Sequence, residues 1–132
     1  MQHSTVRSIH DIKLTLHTTF NIPKGKNDNC ITGCIVCQND KLIFVDWPHN
    51  NRLVILNDDG TLDGVITCSM GDPFDVACLD DATVVVSTNN GIEIININST
   101  KTERCIKTIK PCRGITHHNG VLLWVKTREV FK

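Results

Sequence analysis

A repeat spaced at about 40 residues constrains this chain more than any other feature of its sequence. Gly33 aligns with Asp75, Cys37 with Leu79, Leu42 with Val84 and Asp46 with Thr88, each pair 42 residues apart. Gly33 and Gly114 are 81 residues apart, close to twice that interval with a small deletion. What repeats is a string of short apolar runs separated by turns. The clearest copy is residues 41–61, KLIFVDWPHNNRLVILNDDGT, where apolar runs at 42–45 and 53–56 flank a polar corner containing Pro48. The second run drops directly into Asn57-Asp58-Asp59-Gly60, a strong hairpin signal.

Taken in order, residues 1–11 are polar and expected to be loose. Residues 12–20, IKLTLHTTF, begin with apolar and polar positions alternating, which predicts a half-exposed strand over 12–22. The composition of 23–29, PKGKNDN, is that of a loop. Strands are predicted at 31–37, 42–45, 53–56 and 62–68, with the last ended by Ser69-Met70-Gly71-Asp72-Pro73. The pattern restarts with strands at 74–79, 83–87, 91–96 and 103–109, and a third copy opens at 114–118 and 121–125. No segment carries a 3.6-residue period across two turns, so a helical repeat fails. Four short strands in each unit of this length is the signature of a β-propeller blade, with a β-sandwich as the alternative. The expected fold is therefore all-β: a partial propeller of about three four-stranded antiparallel blades. Residues 12–22 would be the outer strand of a split blade, 31–68 and 74–109 two whole blades, and 114–132 an incomplete one.

Composition excludes several function classes. A chain of 132 residues suits one domain, and can bury roughly 65–70% of its unfolded surface. Fourteen Lys and Arg balance fourteen Asp and Glu, so no global basic field recruits nucleic acid. No apolar run approaches a membrane span, and the start, MQHSTVRSIHDIK, lacks a secretory core, so a cytoplasmic location is expected. Seven cysteines, an odd count without a signal peptide, read as reduced thiols rather than a disulfide framework. Cys34 and Cys37 have C-x-x-C spacing, but their spacer is Ile35-Val36, which favours an extended backbone that turns the two sulfurs apart. They read as small buried hydrophobes. His117 and His118 likewise point opposite ways on a strand. No Gly-rich phosphate loop, G-x-S-x-G or H-E-x-x-H is present, so neither catalysis nor a cofactor is expected.

The stretch Asp46-Trp47-Pro48-His49-Asn50-Asn51-Arg52 and its following run to Gly60 resembles the NHL repeat: an Asp, an Asn–His/Asn–Arg corner, an apolar strand and an Asp-Gly turn. The Trp-Asp repeat family fits less well, since the pair here is Asp46-Trp47, in reversed order on a loop. More narrowly, residues 27–124 resemble the C-terminal propellers of molluscan tripartite-motif-like proteins. The second repeat departs from the motif, with Ser87-Thr88 in place of the Asp and no Asn-Arg pair. The resemblance implies a six-bladed ring of which this chain is about half. It would then be a fragment of a longer protein, with an open sheet array or a two-fold dimer completing the ring as alternatives. Relatives carry RING, B-box and coiled-coil modules upstream and often act as ubiquitin ligases. Those modules are absent from this sequence, so ligase activity is not assigned to it.

In a blade the second-to-third-strand corners and the blade-to-blade loops share one face, and loops on a rigid scaffold hold recognition groups. The blade-to-blade loops supply Lys24, Lys26, Asp72, Lys110 and Arg113. The corners supply Asp46, Trp47, His49, Asn50, Asn51 and Asn90, with Arg52 at the edge. From these, Lys24, Lys26, Asp46, Trp47, His49, Asn50, Arg52, Lys110 and Arg113 are the candidate partner-binding residues. The plainer alternative makes each Lys a solvated charge, Trp47 a cap on the blade's hydrophobic end, and Asp46 an acceptor for loop amides. The function expected is a non-catalytic protein-interaction module. Single-stranded RNA binding through the basic loops is the alternative, and a metal-dependent propeller enzyme a third class.

Overall fold

Runs rich in Val, Ile and Leu, broken at short intervals by Asn, Asp and Gly, favour pleated hairpins over helices. The computed structural model describes residues 8–126 and 129–131, and these form a succession of antiparallel meanders. The first sheet contains β1 (Ile31–Val36), β2 (Leu42–Asp46), β3 (Arg52–Leu56) and β4 (Leu62–Thr67). The second contains β5 (Pro73–Cys78), β6 (Thr83–Thr88), β7 (Gly91–Asn96) and β8 (Lys101–Lys107). The third contains β9 (Cys112–His118), β10 (Val121–Lys126) and β11 (Glu129–Phe131). In every sheet the strands lie side by side in chain order. Thr127, Arg128 and Lys132, which the expected third unit includes, lie outside the described residues, as do residues 1–7.

The sequence repeat is a repeat of pairing register. Ile31 faces Asp46 and Gly33 faces Val45; 42 residues later Pro73 faces Thr88 and Asp75 faces Ser87. In the third sheet Cys112 faces Lys126 and Ile115 faces Trp124. A β-bulge falls at the equivalent place in all three pairs, between Ile31 and Gly33, Pro73 and Asp75, and Trp124 and Lys126. Beyond the second strand the offset between the first two sheets drops to 39, from Arg52 to Gly91, because the corner 47–51 is cut to Asn89-Asn90. Gly91 takes φ +144° there, and a Cβ on it would lie 2.1 Å from the Ile106 carbonyl oxygen, so the short corner needs glycine.

Alternation along each strand gives every sheet two faces, and the sheets stack through them. Ile43, Val45, Leu53 and Ile55 of the first sheet pack against Val76, Val84, Val86 and Ile95 of the second. The opposite face of the second sheet, Ala77, Val85 and Ile92, packs against Cys112 and Ile115, with Leu122 and Trp124 alongside. Each such aliphatic side chain, fully buried, stabilises the fold by about 1.5–3 kcal/mol. Contact between sheets concentrates on their leading strands: β1 lies against β5, and β5 against β9.

Three expectations need correction. Residues 12–22 are not a strand: they have no regular structure and no sheet partner among the described residues, and Leu14 and Leu16 are 96% and 81% exposed. Alternation sets which face a strand would bury, but a strand also needs an unpaired edge to join. Only at its end does this segment dock, where Phe20 lies against Gly60 of the β3–β4 turn. Second, the segment 1–11 is described only from Ser8, and that end of it carries local structure. Ile9–Asp11 is a 3-10 turn held by a capping box, with the Ser8 hydroxyl accepting from the His10 amide and the Asp11 carboxylate accepting from the Ser8 amide. Third, the thiols are not all reduced. Cys37 and Cys78 form a disulfide between the ends of β1 and β5, across 41 residues of chain. Cys34 is exposed on the other side of its strand. Among the described residues no helix is long and apolar enough to cross a membrane.

Candidate interaction face

The corners after β2 and β6 and the loops that lead into each sheet meet at one end of the stack. At the first sheet the meeting is built on Asp46. Expected on the loop, Asp46 is instead the last residue of β2 and fully buried. Its Oδ1 accepts from the Cys30 amide at 2.8 Å, and its Oδ2 from Asn50 Nδ2 and Arg52 Nε, both at 2.9 Å. Arg52 then donates from Nη2 to the Pro23 carbonyl at 2.6 Å and to Asn29 Oδ1 at 3.0 Å. Asn50 accepts from the Asn27 amide at 2.9 Å, and Asn27 Nδ2 donates to the His49 carbonyl at 3.0 Å. Burial alone would push the Asp46 carboxyl up; the Cys30 amide, the Arg52 guanidinium and the Asn50 amide together outweigh it and hold the carboxyl below its ordinary range. Asp46, Asn50 and Arg52 are thus turned inward, tying loop 23–30 to corner 47–51.

The second sheet ties its incoming loop with different chemistry. Glu93, central in β7 and fully buried, accepts from the Ser69 amide and hydroxyl, the Met70 amide at 3.1 Å and the Thr102 hydroxyl at 2.5 Å. Asn89 Oδ1 accepts from the Asp72 amide at 3.0 Å, and Asn90 donates to the Met70 carbonyl. Burial raises the Glu93 carboxyl, but these hydrogen bonds outweigh it, and the group sits below its ordinary range. Glu93 escaped sequence reasoning because a lone acidic residue in the apolar run Gly91–Asn96 carries no motif. Its neighbour Cys68 is an inert thiol, pushed up to about 12 first by burial and then by the Glu93 charge.

With those groups tied inward, other side chains form the outer surface of this end. Trp47, half-buried beside the cis Trp47–Pro48 peptide, meets Phe74 of β5 edge-on, with ring centroids 5.1 Å apart and planes at 78°. Phe74 in turn lies under the Arg113 guanidinium of β9, 4.4 Å from the ring centre. The corner after β2 and the leading strands of the second and third sheets therefore each contribute one residue to a continuous row, Trp47–Phe74–Arg113, of the aromatic and cation–π contacts that stabilise by about 0.5–1.5 kcal/mol each. The Trp47 indole N–H is buried without a hydrogen-bond partner. Beside it, Lys24, Lys26, Asn27, Asp28 and His49 line an open hollow of about 350 Å³. Lys24 pairs with Asp28 at 3.0 Å, both largely exposed. Lys110 is exposed on the loop before β9. Phe74 is the member of this surface that the sequence did not single out, since an aromatic at the start of an apolar strand reads as core.

No protein family matches this chain, and no curated protein is a significant match to it.

Proposed function

We propose that the chain is part of an NHL-type β-propeller and that its corner-and-loop face is a non-catalytic protein-binding surface centred on Trp47. The stacked meanders with leading strand against leading strand, and the bulge repeated in each sheet, support the propeller architecture. The row Trp47–Phe74–Arg113 carries the binding assignment. It presents a large aromatic flanked by exposed cations on a scaffold in which Asp46, Asn50 and Arg52 are tied inward, and buried aromatics with Arg dominate protein-interface energetics. The chemistry that fits is an acidic peptide segment carrying an apolar anchor. The resemblance to tripartite-motif-like proteins makes substrate recruitment in a cytoplasmic ubiquitin-ligase assembly the setting for that binding.

Lys24, Lys26, Lys110 and Arg113 give the second reading, single-stranded RNA held by its phosphates. An array of acidic peptides and an oligo(U) strand, titrated in parallel at two salt concentrations, separates the two. Peptide binding that weakens at least tenfold in Trp47→Ala, with the variant's melting curve checked, supports the protein-binding surface. Oligo(U) binding that falls steeply with salt and disappears when those four cations become Glu replaces it with the RNA surface.

A further inference from the structure

The seam between the first two sheets is tied covalently at the end remote from the Trp47 corner. Cys37 follows β1 and Cys78 ends β5, and their disulfide joins backbones whose Cα atoms are 6.0 Å apart. That spacing lies inside the range of about 4.4–6.8 Å that lets two cysteines bond without moving the chain. Both residues are also held in place independently of the bond. The Cys37 amide donates to the Lys41 carbonyl and the Cys37 carbonyl accepts from the Asp40 amide, each at 2.9 Å, while Cys78 is paired with Val84 in the β5–β6 ladder. Ile43 and Val45 pack in one cluster with Val76 and Val84 across the same seam. Two thiols at these positions would therefore stay face to face after the bond opens.

Access to the two sulfurs is unequal. Cys37 is 3% exposed, whereas Cys78 is half-buried and lines a hollow of about 240 Å³. The hollow is polar: Gln38 of the β1–β2 turn, Asp80 of the β5–β6 turn, and His117, His118 and Asn119 of β9 and its turn line it with Cys78. His117 lies two residues beyond Ile115, on the side of β9 that faces the second sheet. Asp80 already accepts from the Ala82 amide at 2.9 Å, so the imidazoles and side-chain amides are the groups offered to the carboxylates of a ligand.

We propose that the Cys37–Cys78 bond is a thiol-exchange site, entered at Cys78 through this hollow by a small thiol that carries carboxylates, with glutathione as the type. The entering thiol gives its proton to solvent, and its thiolate attacks Cys78 Sγ. A mixed disulfide forms, the bond to Cys37 breaks, and the Cys37 sulfur leaves with the bonding pair and takes up a proton. A second thiolate attacks the outer sulfur of the mixed disulfide and releases Cys78 as the other thiol. Two external thiols are thereby oxidised to one external disulfide while the protein disulfide is reduced to two thiols, and the reverse reaction consumes one external disulfide. Burial of Cys37 directs attack to Cys78, because exchange needs the entering sulfur to reach the one it attacks. Cys37, released beside Cys78, can attack it again and expel the adduct, so the mixed disulfide is short-lived while Cys37 is present. The covalent tie between the first two sheets then follows the thiol-to-disulfide ratio around the protein.

The full chain, equilibrated in glutathione and glutathione disulfide at stepped ratios, tests this by alkylation and fragment mass spectrometry. The expected result is that Cys37 and Cys78 pass together from disulfide to two alkylated thiols as the ratio rises, with circular dichroism showing that the sheets persist. In glutathione disulfide, Cys37→Ser should take one glutathione on Cys78 at least tenfold faster than Cys78→Ser takes one on Cys37. Acid quenching of the parent chain part-way through reduction asks the same question without a substitution. Glutathione trapped on Cys78 supports the site, and glutathione trapped on Cys37 overturns it. The proposal also fails if the bond resists every ratio until the chain unfolds, if the two thiols never join in glutathione disulfide, or if the two variants react at equal rates.

Discussion

Arg52 and Asp46 look, in the sequence, like a cation and an anion offered by a polar corner, yet in the fold they satisfy each other and the incoming loop. Their types and spacing were legible, and the plainer reading of Asp46 as an acceptor for loop amides agrees with its bond from the Cys30 amide; that Arg52 also turns inward was not legible, because it depends on Asp46 ending β2 rather than beginning the corner. Removing Asp46 strands a guanidinium whose side chain is only 10% exposed. Asp46→Ala is expected to cost about 3–5 kcal/mol, as broken buried pairs do. Lys24→Ala, at an exposed ion pair, is expected to cost no more than about 1 kcal/mol. Urea unfolding of the two variants checks the contrast. Glu93 gives a pH prediction. Its carboxyl is depressed below the ordinary 4.5 in the folded chain. It therefore contributes stability that is fully present above that value and is lost as pH falls through the lower folded value. Glu93→Gln should flatten the acid side of the stability curve, between about pH 5 and the acid unfolding limit, relative to the parent chain.

At the scale of elements, the strands were legible because their signals are local. Apolar runs bounded by Asn, Asp and Gly specify hairpins wherever they occur, and the 42-residue interval carried over into the pairing of Asp46 and Thr88 with Ile31 and Pro73. Residues 12–22 show where local signals stop. IKLTLHTTF has the right alternation, but no described sheet pairs with it, and an edge is a property of the rest of the molecule. The consequence is measurable by limited trypsin digestion. Lys13 lies in exposed, unpaired backbone and Arg52 is buried in β3, so cleavage after Lys13 should precede cleavage after Arg52 by a wide margin. Equal rates would mean that the segment is held by contacts stronger than the Phe20–Gly60 seat.

For the molecule as a whole, the sequence could not reveal that Cys37 and Cys78 meet. They belong to strands of different sheets, and only the stacking of β1 on β5 brings them together. Counting cysteines and searching for a leader address the surroundings of a protein, not its contacts. A crosslink closing a loop of 41 residues restricts the unfolded chain, and its loss costs about 2–4 kcal/mol. Cys78→Ser should lower the melting temperature under oxidising conditions and make the chain insensitive to added reductant, whereas the parent should lose a similar amount of stability when reduced. The same seam between the first and second sheets is crossed at the other end by the indole of Trp47, which rests edge-on against a ring belonging to its neighbour. The chain has only one other tryptophan, Trp124, in the third sheet. Nature has therefore placed a separate fluorophore at each seam. Excising one indole at a time would let emission wavelength report which junction parts first as the protein comes undone.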